Sequence, residues 1–127
     1  MVIVQQLKDK AIKKRLENVL ESLSSGIVLV EGKNDVKALK EIGISEVYTY
    51  DMLRYGNVDL DGGSKVIYIL TDNDRKGEQK VLEFKALLSC SEYKINTDLR
   101  REFFKVLRIV HVEEAASPAK KIMEKGD

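Results

Sequence analysis

The sequence predicts an α/β fold, one compact domain with a four-stranded parallel sheet flanked by helices and an amphipathic helix ahead of it. Three observations lead there. Short apolar runs rich in Val and Ile lack the alternation of a half-buried strand and read as strands covered on both faces. Between them lie segments whose apolar residues recur at three- and four-residue steps, the helical period. A chain of 127 residues, 43% of them apolar, suits one domain with one core.

Leu7, Ala11, Ile12, Leu16, Val19, Leu20 and Leu23 keep helical spacing, so residues 3–23 form the predicted N-terminal helix. Its other face carries Lys8, Lys10, Lys13, Lys14 and Arg15 among Asp9, Glu17 and Glu21, which fits a solvated surface better than a phosphate-binding patch. Ser24-Ser25-Gly26 ends it, and Ile27 to Val30 is the first strand. Asn34 reads as the N-cap of a helix through Ile42, with Val36, Leu39 and Ile42 inward. Val47 to Tyr50 is the second strand, and residues 51–64, with Gly56, Asn57, Gly62 and Gly63, read as a loop.

Val66 to Thr71 is the third strand. Val81, Leu82, Phe84 and Leu88 predict a helix over 78–88, followed by a turn over 89–96. Asn96 or Thr97 caps a helix running to Lys105, and Arg108 to Val112 reads as the fourth strand. Ser117-Pro118 is an N-cap and first-turn pair opening a last helix, 117–125. With no repeat, low-complexity tract or linker, residues 1–127 are expected to form a single domain.

Although 34% of the residues are charged, the net charge is only +1, so nothing in the bulk composition advertises a nucleic-acid partner. Such attraction would have to come from local patches. The lone Cys90 has no partner for an intramolecular disulfide or a cysteine zinc site, which fits a reducing compartment. The stretch Met1 to Lys8 is broken by polar residues too early for a secretory signal. No run approaches the roughly 20 apolar residues that cross a bilayer. A cytoplasmic protein without a membrane partner is the expectation.

Two acidic clusters carry the functional signal. Glu31-Gly32-Lys33-Asn34-Asp35 follows the first strand, and Asp72-Asn73-Asp74-Arg75-Lys76-Gly77 follows the third. In an open α/β sheet, residues at the carboxyl ends of strands face a common crevice. Gly32 allows a sharp turn or a close backbone approach to a ligand. Asp35, in the first turn of its helix, also suits the helix dipole. Asp72 and Asp74, two apart, can reach one side of a loop. Hard carboxylate oxygens suit Mg²⁺, which keeps several waters and needs only two or three such ligands.

An E-G-x-x-D sequence after one apolar strand and D-x-D-x-x-G after a later one resembles the Toprim domain. Topoisomerases, bacterial primases, overcoming-lysogenisation-defect nucleases, RecR recombination mediators and small ribosomal-RNA maturation nucleases share it. Glu31, Gly32 and Asp35 match the first motif, and Asp72, Asp74 and Gly77 the second. The resemblance spans residues 26–115, and the chain looks like a small stand-alone Toprim protein of the archaeal kind. It implies that Glu31, Asp72 and Asp74 form the catalytic set. Glu31 would act as general acid/base, metal ligand or both. Asp72 and Asp74 would hold Mg²⁺, with Mn²⁺ able to replace it, and Asp35 would support the site or a second ion. The implied activity is phosphotransfer on RNA or DNA, most simply as a nuclease or RNA-processing enzyme, in a chain that could pair with a second copy or join a larger complex.

Lys33, Arg75 and Lys76 stand beside these acids in sequence and are candidates to neutralise a substrate phosphate. Departures from the family narrow the reading. A topoisomerase needs a nucleophilic tyrosine on a DNA-gripping domain, and Tyr48, Tyr50, Tyr55, Tyr68 and Tyr93 have none around them. Tyr48, Tyr50 and Tyr68 sit in predicted strands, where packing explains them. The zinc module of a primase is also absent, which leaves a bare metal-and-phosphate module.

Plainer readings stand beside these. Asp72-Asn73-Asp74 alone could be a polar turn. Asp51 and Glu113 follow predicted strands and read as exposed loop acids with the capacity to be extra ligands. His111, inside an apolar run, reads as a packed histidine, and Cys90 as a small, at least half-buried residue. Two rival functions remain open: a non-catalytic scaffold that binds nucleic acid, and a haloacid-dehalogenase-like phosphatase with Asp72 as nucleophile. The second puts its D-x-D motif on the wrong strand, sets Lys76 where Thr or Val is usual, and leaves Glu31 without a role.

Overall fold

The computed structural model describes residues 2–56, 58–60, 65–89 and 92–125. Cys90, Asn57, Gly62 and Gly63 lie outside them. Helix α1 (Val2–Ser25) leads into strand β1 (Ile27–Val30), helix α2 (Lys33–Glu41), strand β2 (Val47–Thr49) and the short helix α3 (Tyr50–Tyr55). Strand β3 (Val66–Ile69), helix α4 (Arg75–Leu87), strand β4 (Lys94–Asn96), helix α5 (Asp98–Leu107), a 3₁₀ turn (Val112–Glu114) and helix α6 (Ala116–Lys125) complete it.

The sheet is parallel throughout, in the order β2-β1-β3-β4. The predicted α/β class, parallel sheet and leading helix are all present. β1 is central, and its four residues are buried because both faces are covered. Val28 and Val30 pack with Leu16, Leu23, Leu39 and Phe103 on one face. Ile27 and Leu29 join Ile67, Ile69, Val81 and Phe84 on the other. Helices α2 and α4, which follow the adjacent strands β1 and β3, therefore lie on opposite faces. Their first turns diverge and open a crevice at the carboxyl end of the sheet, the switch point where ligands bind in doubly wound folds.

Several boundaries move, each for a local reason. Asp35 accepts a hydrogen bond from the Gly32 N–H, 3.1 Å, so α2 begins with Gly32 as N-cap and Asn34 falls inside its first turn. Thr49 Oγ1 accepts the Met52 N–H, 3.2 Å, which turns Tyr50 into the start of α3 where a strand residue and then a loop were expected. Asp74 caps α4 and starts it at Arg75, ahead of the predicted Glu78. Helix α6 begins at Ala116, placing Ser117 and Pro118 in its first turn. In α1, Leu16, Val19 and Leu23 are buried, but Leu7 is 62% exposed and Ala11 is also exposed.

The fourth strand is the main correction. Lys94–Asn96, within the predicted turn, pairs with β3, and residues 108–112 form no strand. Arg108 closes α5 in the left-handed region at φ 56° and reverses the chain. The following residues cross the carboxyl end of the sheet as a strap, bonded to the loop after β3: the Asn73 N–H donates to the Val110 carbonyl at 2.8 Å.

Candidate functional site

The loop after β3 is built from its buried end outward. The Thr71 hydroxyl donates to the Gly77 carbonyl at 2.7 Å, and the Gly77 N–H donates to Asp74 Oδ1 at 2.7 Å. These two bonds fold residues 71–77 into a tight turn. It requires a glycine at its end, because a Cβ on Gly77 would lie 1.8 Å from the Asp72 carbonyl oxygen. Beneath the loop lies Arg100 of α5, only 8% exposed. Its Nε donates to the Thr71 carbonyl at 2.7 Å, its Nη2 to the Asp72 carbonyl and its Nη1 to Glu78 at 2.8 Å. The guanidinium thus satisfies two carbonyls that the sheet cannot reach.

Above the loop, the strap aims the side chains. Asp72 Oδ1 accepts the Val112 N–H at 2.8 Å. Asp72 Oδ2 lies 3.2 Å from His111 Nδ1, and Asp74 Oδ2 lies 3.9 Å from the same nitrogen. The adjacent carboxylates raise the imidazole pKa, led by the hydrogen bond to Asp72.

Glu31 joins this loop from β1: its Oε1 accepts the Asp72 N–H at 3.1 Å. The acids of the two sequence clusters therefore meet across the switch point. Glu31, Gly32, Lys33, Asp35, Asp72 and Glu113 line an open concavity of about 500 Å³. Burial pushes the Glu31 carboxyl above its usual range; the Asp72 N–H opposes this, and Asp72 and Asp74 add to it. Asp35 is pushed up to about 6, mainly by burial, with the Gly32 N–H opposing and Asp72, Glu31 and Glu113 adding to the shift. A crowd of acids short of positive charge is a setting that a divalent cation would relieve.

The donor set fits such a cation. Among the described residues, one ligand atom each from Asp72, Asp74 and His111 lies within 4.8 Å of the others. Glu31 accepts the backbone N–H of Asp72, and Asp35 lines the concavity together with Glu31 and Asp72. Of the candidate phosphate binders, Lys33 stands on the rim and Lys76 is near enough to draw the Glu31 pKa down. Arg75 instead lines a neighbouring concavity of about 590 Å³ with Glu78, Gln79 and Arg101.

Gly32 has φ −144°, and a Cβ there would meet nothing within 4 Å. The expected sharp turn does not need it, so only the open space beside the acids gives its lack of a side chain a use. Asp51 lies near Glu31 around an adjoining concavity, and Glu113 sits close enough to raise Asp35. His111, expected to be packed, is exposed and touches the acids. Arg100 went unmarked in the sequence, yet it stands three and four residues before Phe103 and Phe104 and shares their buried stripe.

The architecture and the site together define a doubly wound parallel α/β domain with carboxylates and an imidazole gathered at its switch point. No protein-family model matches the chain. A UPF0292 protein of Thermococcus sibiricus is 32% identical over 99 residues, covering 75% of this chain and 79% of that protein. A UPF0292 protein of Pyrococcus horikoshii is 32% identical over 93 residues, 70% of each. One of Methanosarcina barkeri is 29% identical over 113 residues, 80% of this chain and 76% of that protein. The chain belongs to the UPF0292 family, a name that states no activity. A solved structure of a protein from Aquifex aeolicus superposes with a TM-score of 0.60 at 30% identity, covering 78% of this chain and 96% of that one. Among the described residues, no helix is long and apolar enough to cross a membrane.

Proposed function

We propose that this chain is a Toprim-type, Mg²⁺-dependent phosphotransfer enzyme acting on nucleic acid in the cytoplasm, most simply a nuclease or RNA-processing enzyme, with Mn²⁺ able to replace Mg²⁺. One observation carries the reading: Glu31 of the first motif accepts a hydrogen bond from the backbone of Asp72 in the second. Bound there, a divalent cation would polarise a phosphoryl oxygen and ease the ionisation of water.

The chain's own residues supply the rest. Asp72 and Asp74 are fixed ligands, since backbone amides hold one oxygen of each. Glu31 uses one oxygen on the Asp72 N–H, which leaves the other for proton transfer. Lys33 at the rim and Lys76 near Glu31 offset the charge of a phosphodiester. The concavity is open, which suits a polymer better than a small metabolite. Asp72 as a phosphatase nucleophile fits less well, because it would leave Glu31, which is tied to the Asp72 backbone, without a role.

The test is cleavage of structured RNA, single-stranded DNA and duplex DNA with Mg²⁺ or Mn²⁺. Glu31→Gln should lower the rate about 10²–10⁴-fold, and folded Asp72→Asn should be inactive. Equal cleavage by wild type and both variants sinks the proposal. Tight binding without turnover on every substrate and metal would make the chain a scaffold instead.

A further inference from the structure

We infer that His111 is a nitrogen ligand to the cation held by Asp72 and Asp74, and that it biases the site toward Mn²⁺ over Mg²⁺. The inference rests on the metal-dependent reading above.

Packing does not explain this side chain. Its side chain is 47% exposed and lies against the carboxylates of Asp72 and Asp74, while Glu114 accepts its backbone N–H at 3.3 Å. The backbone on each side of it is tied to the loop that carries those acids. Before it, the Val110 carbonyl accepts the Asn73 N–H; after it, the Val112 N–H donates to Asp72 Oδ1. Val112 is fully buried and anchors the strap to the body. The imidazole is therefore held over the acids by fixed points in the chain on both sides.

The spacing suits coordination. Neighbouring donors of an octahedral ion with bonds near 2.1 Å sit about 3 Å apart. Nδ1 lies 3.2 Å from Asp72 Oδ2 and 3.9 Å from Asp74 Oδ2, so small side-chain shifts close the set. The proton balance is simple. A ligating Nδ1 carries no proton, so neutral His111 keeps its proton on Nε2, and any second proton leaves to solvent on binding. The nitrogen then sets the selectivity. Carboxylate and water suit both ions, but imidazole favours transition metals and adds little for Mg²⁺, which prefers oxygen.

His111 is the only histidine in the chain, so an imidazole signal from tag-free protein can be assigned without ambiguity. The experiment is Mn²⁺ titration of the full chain at pH 8, followed by electron paramagnetic resonance, with pulsed detection of ¹⁴N coupling and competition by Mg²⁺. Wild type should bind Mn²⁺ with an imidazole ¹⁴N signature. His111→Ala, checked for unchanged thermal unfolding without metal, should lose that signature. Its Mn²⁺ affinity should fall at least about tenfold, while Mg²⁺ affinity changes little. Mn²⁺ bound without ¹⁴N coupling, or an unchanged Mn²⁺/Mg²⁺ ratio in His111→Ala, overturns the ligand role and leaves the metal reading intact. No Mn²⁺ binding by wild type, or equal binding by Asp72→Asn, overturns both.

Discussion

The loop after β3 and the loop after β1 bring acids to the same crevice but are held very differently. The first is fastened from below by Arg100, from within by Thr71, Gly77 and Asp74, and from above by the strap at Val110 and Val112. The second holds itself through Asp35 and Gly32 and reaches out through Glu31 to the Asp72 N–H. The anchored loop presents carboxylates whose directions are set before any ligand arrives, and preorganisation of that kind suits metal ligands. The other loop carries the two acids whose pKa values rise, and raised carboxyls suit the handling of protons. One loop positions and the other titrates.

Removing the anchor is the largest way to break that contrast. Arg100→Met strips the Thr71 and Asp72 carbonyls of a buried donor and should cost on the order of 3 kcal/mol in urea unfolding. Lys33→Met, at an exposed position on the other loop, should cost less than about 0.5 kcal/mol. Similar losses at the two positions would mean that Arg100 is not what holds the first loop.

The two motif glycines sharpen the contrast at a smaller scale. Gly77→Ala forces a Cβ against the Asp72 carbonyl and should destabilise by about 2 kcal/mol. Gly32→Ala enters open space and should leave stability nearly unchanged while weakening Mn²⁺ or nucleic-acid binding. Thermal unfolding with and without Mn²⁺ separates them. A Gly32→Ala protein that unfolds as early as Gly77→Ala would refute the division between a packing glycine and a ligand-facing one.

Much of this was legible in the sequence. The fully apolar β1 and the residues of β3 announced a buried parallel sheet, and acids directly after each strand had to face one edge. The strap and β4 were not legible, for complementary reasons. Lys94-Ile95-Asn96 has one apolar residue and becomes a strand only because β3 offers a free edge. Arg108 to Val112 has strand composition, but the left-handed turn at Arg108 directs its backbone bonds to the Asp72 loop. Strand propensity describes a half-buried surface, not a partner, so tertiary context decided both. That exchange hid His111, since its position became meaningful only once the strap crossed the acids. Arg100 was hidden because a charge on an apolar helical stripe looks like an error until its carbonyl partners are known.

The smallest expected effect tests the titrating loop by itself. The Asp35 carboxyl, pushed up to about 6, holds its proton more tightly in the folded chain than in the unfolded one. Between pH 4 and that value the folded state binds more protons, so stability falls as pH rises through this window and stays lower above it. Partial solvation at the crevice screens the charge, which leaves a deficit of about 1 kcal/mol at pH 7.5. Asp35→Asn keeps an oxygen for the Gly32 N–H but cannot ionise. Without metal it should match wild type at pH 3.5 and exceed it by about that amount at pH 7.5. Saturating Mn²⁺ should shrink or reverse the gap, because a cation in the crevice stabilises the ionised form only where there is one. Equal losses for Asp35→Asn at both pH values would make Asp35 a plain helix cap, and the two loops would then differ in anchoring alone.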